Sequence, residues 1–157
     1  MTIYFNLFTY FLFILYTFMI LSLNTYKYSL SFLISTFIIV YLFDIPTLIT
    51  SAPDLVYEYY YKNGLYNFFF DFFLIYIYIS IGVFFIQYFK IKSFFHKIFI
   101  MILNTLFIST FFMFLFLYLP KSKSFFSRWF HRVSFKAVIY DISIVTFTFF
   151  LYSKLNI

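Results

Sequence analysis

The feature that most constrains this chain is the uncharged apolar run at residues 98–119. Its 22 residues include no Asp, Glu, Lys or Arg, and the run ends at Pro120. A helix of about 20 apolar residues, rising about 1.5 Å per residue, crosses the roughly 30 Å of hydrocarbon in a bilayer. The run therefore predicts a helix that spans a membrane.

The composition of the whole chain points the same way. Of its 157 residues, 65% are hydrophobic and only 10% are charged, whereas a soluble domain has about 25% charged residues. Too few polar residues are present to cover a water-exposed surface, so we expect an integral membrane protein. The chain has no cysteine, which excludes disulfides, iron–sulfur clusters and thiolate zinc sites.

Other apolar runs resemble the first one in length and lack of charge. We predict an all-α, polytopic protein that forms a single integral membrane domain over residues 1–157. The predicted spans are residues 3–23, 28–44, 65–89, 98–119 and 137–152. Two shorter helices are predicted at the membrane surface, at residues 53–62 and 124–136. A four-span arrangement, with one short segment re-entrant or lying flat, stays open.

Residues 44–71 are the main polar interruption and hold four of the five acidic residues. Pro46 is expected to stop or kink the preceding helix. Pro53 followed by Asp54 is typical of a helix start. Four tyrosines in this segment suit the headgroup level, with their rings in the apolar layer and their hydroxyls in water. These are Tyr57, Tyr59, Tyr60 and Tyr61.

Residues 124–136 have an amphipathic pattern, with rings on one stripe and cations on another. Such a helix lies in the membrane interface. It could bind an anionic lipid such as cardiolipin, or an acidic partner surface. The residues that would make this contact are Arg128, Trp129, Arg132 and Lys136. A basic loop that anchors the adjacent helices is the plainer interpretation, and we favour it.

The acidic and basic segments are separated by two predicted spans, so they should lie at the same membrane face. We expect Asp54 or Glu58 to lie near Arg128 or Arg132. Exposed pairs of this kind contribute only about 0–1 kcal/mol, so they would fix arrangement more than stability. Six basic residues fall on that side of the membrane and five on the other, which leaves the orientation open.

Asp71 and Asp141 are the only acids inside apolar runs. An intramembrane carboxylate suggests function, for example a step in a proton relay. The plainer interpretation places each acid near the headgroups, in the first turns of its helix, where it suits the positive end of the helix dipole. We favour that interpretation. His96 and His131 flank one predicted span, so a single haem or metal could not use both.

Motifs for nucleotide binding, zinc-dependent proteolysis and nucleophilic hydrolysis are absent from the sequence. We therefore expect no enzyme activity and no cofactor beyond a bound phospholipid. The basic residues flank the predicted spans, so lipids and other membrane subunits are the expected partners, and nucleic acid is not.

Residue usage is strongly biased, with 31 Phe and 17 Tyr against 2 Gly. Phe, Tyr, Ile, Asn and Lys have AT-rich codons, so an AT-rich genome is expected. No charged side chain precedes Lys27, and neither a secretory signal nor a mitochondrial presequence is recognisable. This suits a protein made inside an organelle, and a bacterial or viral membrane protein equally well.

Runs such as FFFDFFLIYIYISIGVFFIQYFK and TYFLFILYTFMILSL resemble the orphan membrane subunits encoded in ciliate mitochondrial genomes. The resemblance is compositional and carries over no functional residue. It implies a multi-pass, non-catalytic accessory subunit of a respiratory-chain complex in the mitochondrial inner membrane, either the oxidase or another electron-transfer complex. Such a subunit would scaffold neighbouring helices and bind lipid.

Three alternatives remain. The chain could be a membrane subunit of mitochondrial ATP synthase. It could also be a small proton channel or transporter that uses Asp71 and Asp141. A third possibility is a structural membrane protein of an AT-rich large DNA virus.

Overall fold

The computed structural model describes residues 23–155, and all regular structure within that range is helical. Seven helices follow one another with short connections. In chain order they are α1 (Thr25–Leu42), α2 (Ile45–Thr50), α3 (Pro53–Tyr57 with the π-helical continuation Glu58–Lys62), α4 (Gly64–Tyr88), α5 (Phe94–Tyr118), α6 (Phe125–Val133) and α7 (Phe135–Lys154).

Four of these helices, α1, α4, α5 and α7, are long and apolar enough to cross a membrane. They correspond to the predicted spans 28–44, 65–89, 98–119 and 137–152, so the prediction of an all-α polytopic protein is confirmed. The predicted span 3–23 lies outside the described residues except for Leu23, and it stays a prediction.

The turn between α1 and α3 contains a helix that the sequence did not predict. Pro46 stops α1 as expected, but it also lies in the first turn of α2, where its missing N–H costs nothing. Asp44, between α1 and α2, has a left-handed backbone with φ of 45°, which is uncommon for a residue with a Cβ. The predicted start of α3 is present, with Pro53 in its first turn and Asp54 beside it.

A single residue, Ser134, connects α6 to α7. Its φ of 51° and ψ of −128° lie in a region that residues other than glycine rarely adopt. The Ser134 N–H donates to the Phe130 carbonyl at 3.0 Å, which ends α6. The surface helix predicted over 124–136 is therefore shorter, because the chain turns at Ser134 and enters the last span at Phe135.

The last span, α7, is the centre of the bundle, since it packs against α1, α2, α4, α5 and α6. Its inward side chains, among them Val138, Ile144 and Val145, are almost fully buried. The α4–α5 pair approaches closely at Gly82. A Cβ atom added there would lie 2.6 Å from Cε of Met101.

Side-chain contacts show which helix ends lie together at each end of the bundle. The Lys154 ammonium lies 4.6 Å from the ring centroid of Phe94, and that of Lys27 lies 5.3 Å from the ring of Tyr152. These contacts place the starts of α1 and α5 and the end of α7 at one end. At the other end, α3 contacts α6 through ion pairs.

Candidate functional site

Two ion pairs join α3 to α6 and close one end of the bundle. Arg128 binds both carboxylate oxygens of Glu58, with Nη1 donating to Oε2 at 2.9 Å and Nη2 donating to Oε1. Arg132 Nη1 donates to Oδ2 of Asp54 at 2.5 Å. The structure thus brings together the acids and cations that were expected to meet at one membrane face. We call these two helices, with their ion pairs, the cap.

The ion pairs shift the titration of their members. The hydrogen bond from Arg128 lowers the pKa of Glu58 below its ordinary value, and the same bond raises the pKa of Arg128. A hydrogen bond from Arg132 likewise lowers the pKa of Asp54. Each shift has the same cause, because a bonded counter-charge stabilises the ionised form.

The residues suggested for lipid or partner contact have mostly internal partners. Arg128 and Arg132 are paired with acids of α3, and Trp129 is buried against the bundle. Nζ of Lys136 donates to Oγ of Ser51 at 3.2 Å but the side chain stays exposed. Contact with an anionic lipid at this helix therefore stays a prediction, and Lys136 is the member best placed for it.

Beneath the cap lies a cavity of about 200 Å³. Most of its wall is aromatic, with six phenylalanine rings from α4, α5 and α6 together with Trp129. Leu74 and six polar side chains complete the lining, and the polar ones come from α3, α4 and α7. They are Tyr59, Tyr60, Asp71, Tyr78, Tyr140 and Asp141.

Asp71 faces this cavity from α4. Leu74 and Tyr78 follow it at spacings of three and seven residues, which places all three on one side of the helix. The Tyr59 hydroxyl donates to Oδ1 of Asp71 at 2.7 Å. Asn67 donates from Nδ2 to the Tyr59 carbonyl at 2.8 Å, so α4 also holds the backbone of α3 in place.

Asp141 faces the same cavity from α7. The Ser109 hydroxyl, on α5, donates to Oδ2 of Asp141 at 2.6 Å. The Tyr78 and Ser109 hydroxyls lie 3.0 Å apart. A further bond joins the hydroxyls of Tyr60 and Tyr140. Hydroxyl groups of four helices thus surround the two carboxylates.

A smaller cavity of about 30 Å³ adjoins the first and also contacts both acids. A space of this size can hold a water molecule when polar groups surround it. Among the described residues, no Lys, Arg or His lines either cavity. Both cavities therefore carry potential negative charge without a cation in their walls.

The sequence treated Asp71 and Asp141 as two separate acids near the headgroups. The structure places them on one cavity beneath the cap. Asp71 is seven residues beyond Gly64, which is about 10 Å along a helix axis. The common cavity was not predictable from spacing, because α4 and α7, which carry the two acids, are mostly apolar on all sides and their patterns do not indicate an inward face. Participation in proton transfer stays a prediction.

The four tyrosines of α3 were expected at the headgroup level, and this expectation was wrong for two of them. Tyr57 and Tyr61 are 62% and 51% exposed, as expected at a headgroup level, but Tyr59 and Tyr60 are each only 6% exposed. The inner side of α3 turns these two hydroxyls toward Asp71 and Tyr140 instead of water. Burial and then the nearby charge of Asp71 raise the pKa of Tyr59, so its hydroxyl remains a donor.

Neither histidine lines the two cavities. His96 is at the start of α5, and His131 lies on α6 with Nδ1 at 2.9 Å from the Ser127 carbonyl. Within residues 23–155, no three His, Cys, Asp or Glu side chains come close enough together to hold a metal ion.

No family model matches the chain, and no curated protein or solved structure matches it significantly. The fold and the site by themselves define a class. The chain is an all-α, multi-pass membrane protein whose capped end covers an aromatic cavity containing two carboxyl groups.

Proposed function

We propose that the chain is a non-catalytic, structural subunit of a respiratory-chain complex in the mitochondrial inner membrane, either the oxidase or another electron-transfer complex. It scaffolds neighbouring helices and holds lipid between them. One feature in support is the shortness of the connections. Between the described helices they contain at most six residues, so a partner must be recognised mainly through the sides of the spanning helices.

The outer side of α5 is the observation that carries this proposal. Of the most apolar stretch of α5, only 28% is buried within the chain. Phe107, Phe111 and Phe114 are all exposed and follow a four- and three-residue spacing, so they form one ridge along the helix. Such a ridge can pack against lipid tails or against the helix of another subunit.

Blue-native electrophoresis of mitochondrial membranes with mass spectrometry tests this proposal. The chain should migrate together with the subunits of one large complex. A variant with Phe107, Phe111 and Phe114 changed to Ala should be released more readily. A matched variant with Phe69, Phe73 and Phe84 changed to Ala on α4 shows whether the effect is specific to α5. Migration of the wild-type chain only as a free monomer contradicts the proposal.

Electrophoresis and the gene sequence together separate the related alternatives. Co-migration with ATP synthase assigns the chain to that complex instead. A TGA codon at Trp129 favours a mitochondrial gene, and neighbouring viral genes favour the structural protein of a DNA virus.

A second candidate is a proton channel or small transporter that uses Asp71 and Asp141. The specific observation in its favour is that both acids line the same pair of cavities. Protein reconstituted in liposomes should then show a proton flux that falls in Asp71→Asn and Asp141→Asn. Asp44→Asn removes an acid outside the cavities and serves as the control. An undetectable flux, or one unchanged in both variants, excludes this candidate.

A further inference from the structure

We propose that the cavity beneath the cap is a binding site for an organic ammonium ion with an apolar group about the size of a phenyl ring. The inference is independent of the structural-subunit proposal. It rests on the charge, the aromatic lining and the size of the cavity.

Charge is the first argument. Asp71 and Asp141 line the cavity, and the described residues place no cationic side chain in its wall. Both acids are half-buried, and a carboxylate withdrawn from water is costly unless an opposite charge or good hydrogen bonds compensate it. Tyr59 and Ser109 supply one hydrogen bond each. A bound cation would supply the counter-charge that the wall of the cavity lacks.

The aromatic wall indicates which kind of cation fits. Six phenylalanine rings and the indole of Trp129 line the cavity. Aromatic faces attract ammonium groups, and tryptophan does so most strongly. A hard metal ion such as Ca²⁺ takes six or more oxygen ligands, in contrast. Aromatic walls with two carboxylates therefore suit an alkylated or aryl-substituted ammonium ion.

Size limits the ligand further. An engineered cavity of about 150 Å³ in another protein binds benzene. The cavity here has a volume of about 200 Å³, which is sufficient for a phenyl ring with a small ammonium group. The ammonium group would lie toward Asp71 and Asp141, and the apolar part would lie among the rings.

Binding can be followed through Trp129, which lines the cavity and is the only tryptophan in the sequence. The probe is benzyltrimethylammonium, titrated into the purified protein in detergent. Neopentylbenzene, which has the same shape without the charge, is the matched neutral compound. We expect a saturable change in Trp129 fluorescence with the cation. The neutral compound should bind at least about tenfold more weakly than the cation, since a charge-assisted contact is worth about 1.5–3 kcal/mol.

Variants locate the site. The double variant Asp71→Asn with Asp141→Asn should bind the cation about tenfold more weakly or worse. Asp44→Asn removes the same charge outside the cavity, at a left-handed position that Asn tolerates, and should bind as the wild type does. If the double variant does not fold, the proposal is still tested by the two single variants and by the comparison of the two compounds on the wild-type protein.

Two results would overturn the proposal. One is equal affinity of the wild-type protein for the cation and the neutral compound. The other is unchanged cation affinity in the folded Asn variants.

The natural ligand could be a free amine or the ammonium headgroup of a phospholipid. Titrations in nanodiscs of phosphatidylglycerol alone, and in nanodiscs that also contain phosphatidylethanolamine, separate the two sources. Weaker probe binding in the second membrane identifies a competing lipid headgroup. Equal saturable binding in both membranes excludes the phosphatidylethanolamine headgroup and leaves a free amine as the ligand.

Discussion

At the scale of single residues, the buried hydroxyl of Tyr59 is the group that ties the cap to the cavity. It comes from α3 and donates to Asp71 on α4 at 2.7 Å. Tyr57, two residues earlier on the same helix, is exposed. The two tyrosines therefore offer a matched comparison of the same chemical change in two surroundings.

We predict that Tyr59→Phe lowers the free energy of unfolding by about 1–3 kcal/mol, because it leaves a carboxylate oxygen of Asp71 without its donor. Tyr57→Phe should change the free energy of unfolding by no more than about 0.5 kcal/mol. Denaturant unfolding in detergent micelles measures both values. Equal effects of the two variants would mean that the hydroxyl of Tyr59 contributes nothing through Asp71.

The Glu58–Arg128 pair predicts a dependence of stability on pH. The pKa of Glu58 is lowered in the folded state, so its contribution is fully present above the unfolded value near 4.5 and is lost as the pH falls through the lowered pKa. Because both side chains are partly exposed, the contribution is only about 0–1 kcal/mol.

Unfolding measured from neutral to acidic pH on the wild type and on Glu58→Gln tests this dependence. The wild type should lose stability relative to Glu58→Gln only below the ordinary pKa of the carboxyl. A difference between the two proteins that stays constant down to the lowest pH would argue against the ion pair.

At the scale of helices, the closest packing is between α4 and α5 at Gly82. A methyl group there would meet the terminal methyl of Met101, which is fully buried. We predict that Gly82→Ala is less stable than Gly64→Ala by about 1–3 kcal/mol, because Met101 must be displaced in a filled interior.

Gly64→Ala is the control, since a Cβ at Gly64 has no neighbouring atom within 4 Å. Gly64 is the first residue of α4, so Gly64→Ala gains less helix propensity than Gly82→Ala does in the interior. A lower stability of Gly82→Ala therefore reports the packing. Equal thermal unfolding midpoints for the two variants would show that α4 and α5 are further apart at this point.

The helices themselves were largely predictable from sequence, but the site was not. Uncharged runs and flanking Lys residues located α1, α4, α5 and α7, since bilayer thickness sets their length. Counting spans placed Asp54 or Glu58 near Arg128 or Arg132, and the structure shows which acid pairs with which cation. Pro46 did not reveal α2, because a proline that stops one helix can also lie in the first turn of the next.

The inward orientation of Tyr59 and the common cavity of Asp71 and Asp141 depend on helix rotation. A helix that is apolar on every side carries no pattern that reports its rotation. The sequence could therefore place these residues along their helices but could not show which way they face.

At the scale of the whole molecule, the described residues form four spans with the cap at one end. Tyr57 and Lys123 lie at the capped end, and Lys92 lies at the opposite end; all three are exposed. The chain has no cysteine, so single introduced cysteines can be labelled without removing native ones.

We predict that Tyr57→Cys and Lys123→Cys react with a membrane-impermeant maleimide from the same side of sealed vesicles, and that Lys92→Cys reacts only from the other side. Detergent-solubilised protein provides the control for overall reactivity. Labelling of Tyr57→Cys and Lys92→Cys from the same side would contradict the prediction. It would mean that an even number of spans, and not α4 alone, separates the two residues.

The one-residue connection at Ser134 has a consequence for how one wall of the cavity can move. Trp129 and Phe130 on α6 line the cavity, and α7 begins immediately after Ser134. Because only one residue separates the two helices, an outward movement of α6 would also move the first turn of α7. Collective helix displacements of this kind take microseconds to milliseconds. A displacement of α6 away from the cavity is therefore the motion of a helix pair, which is slower than side-chain rotation.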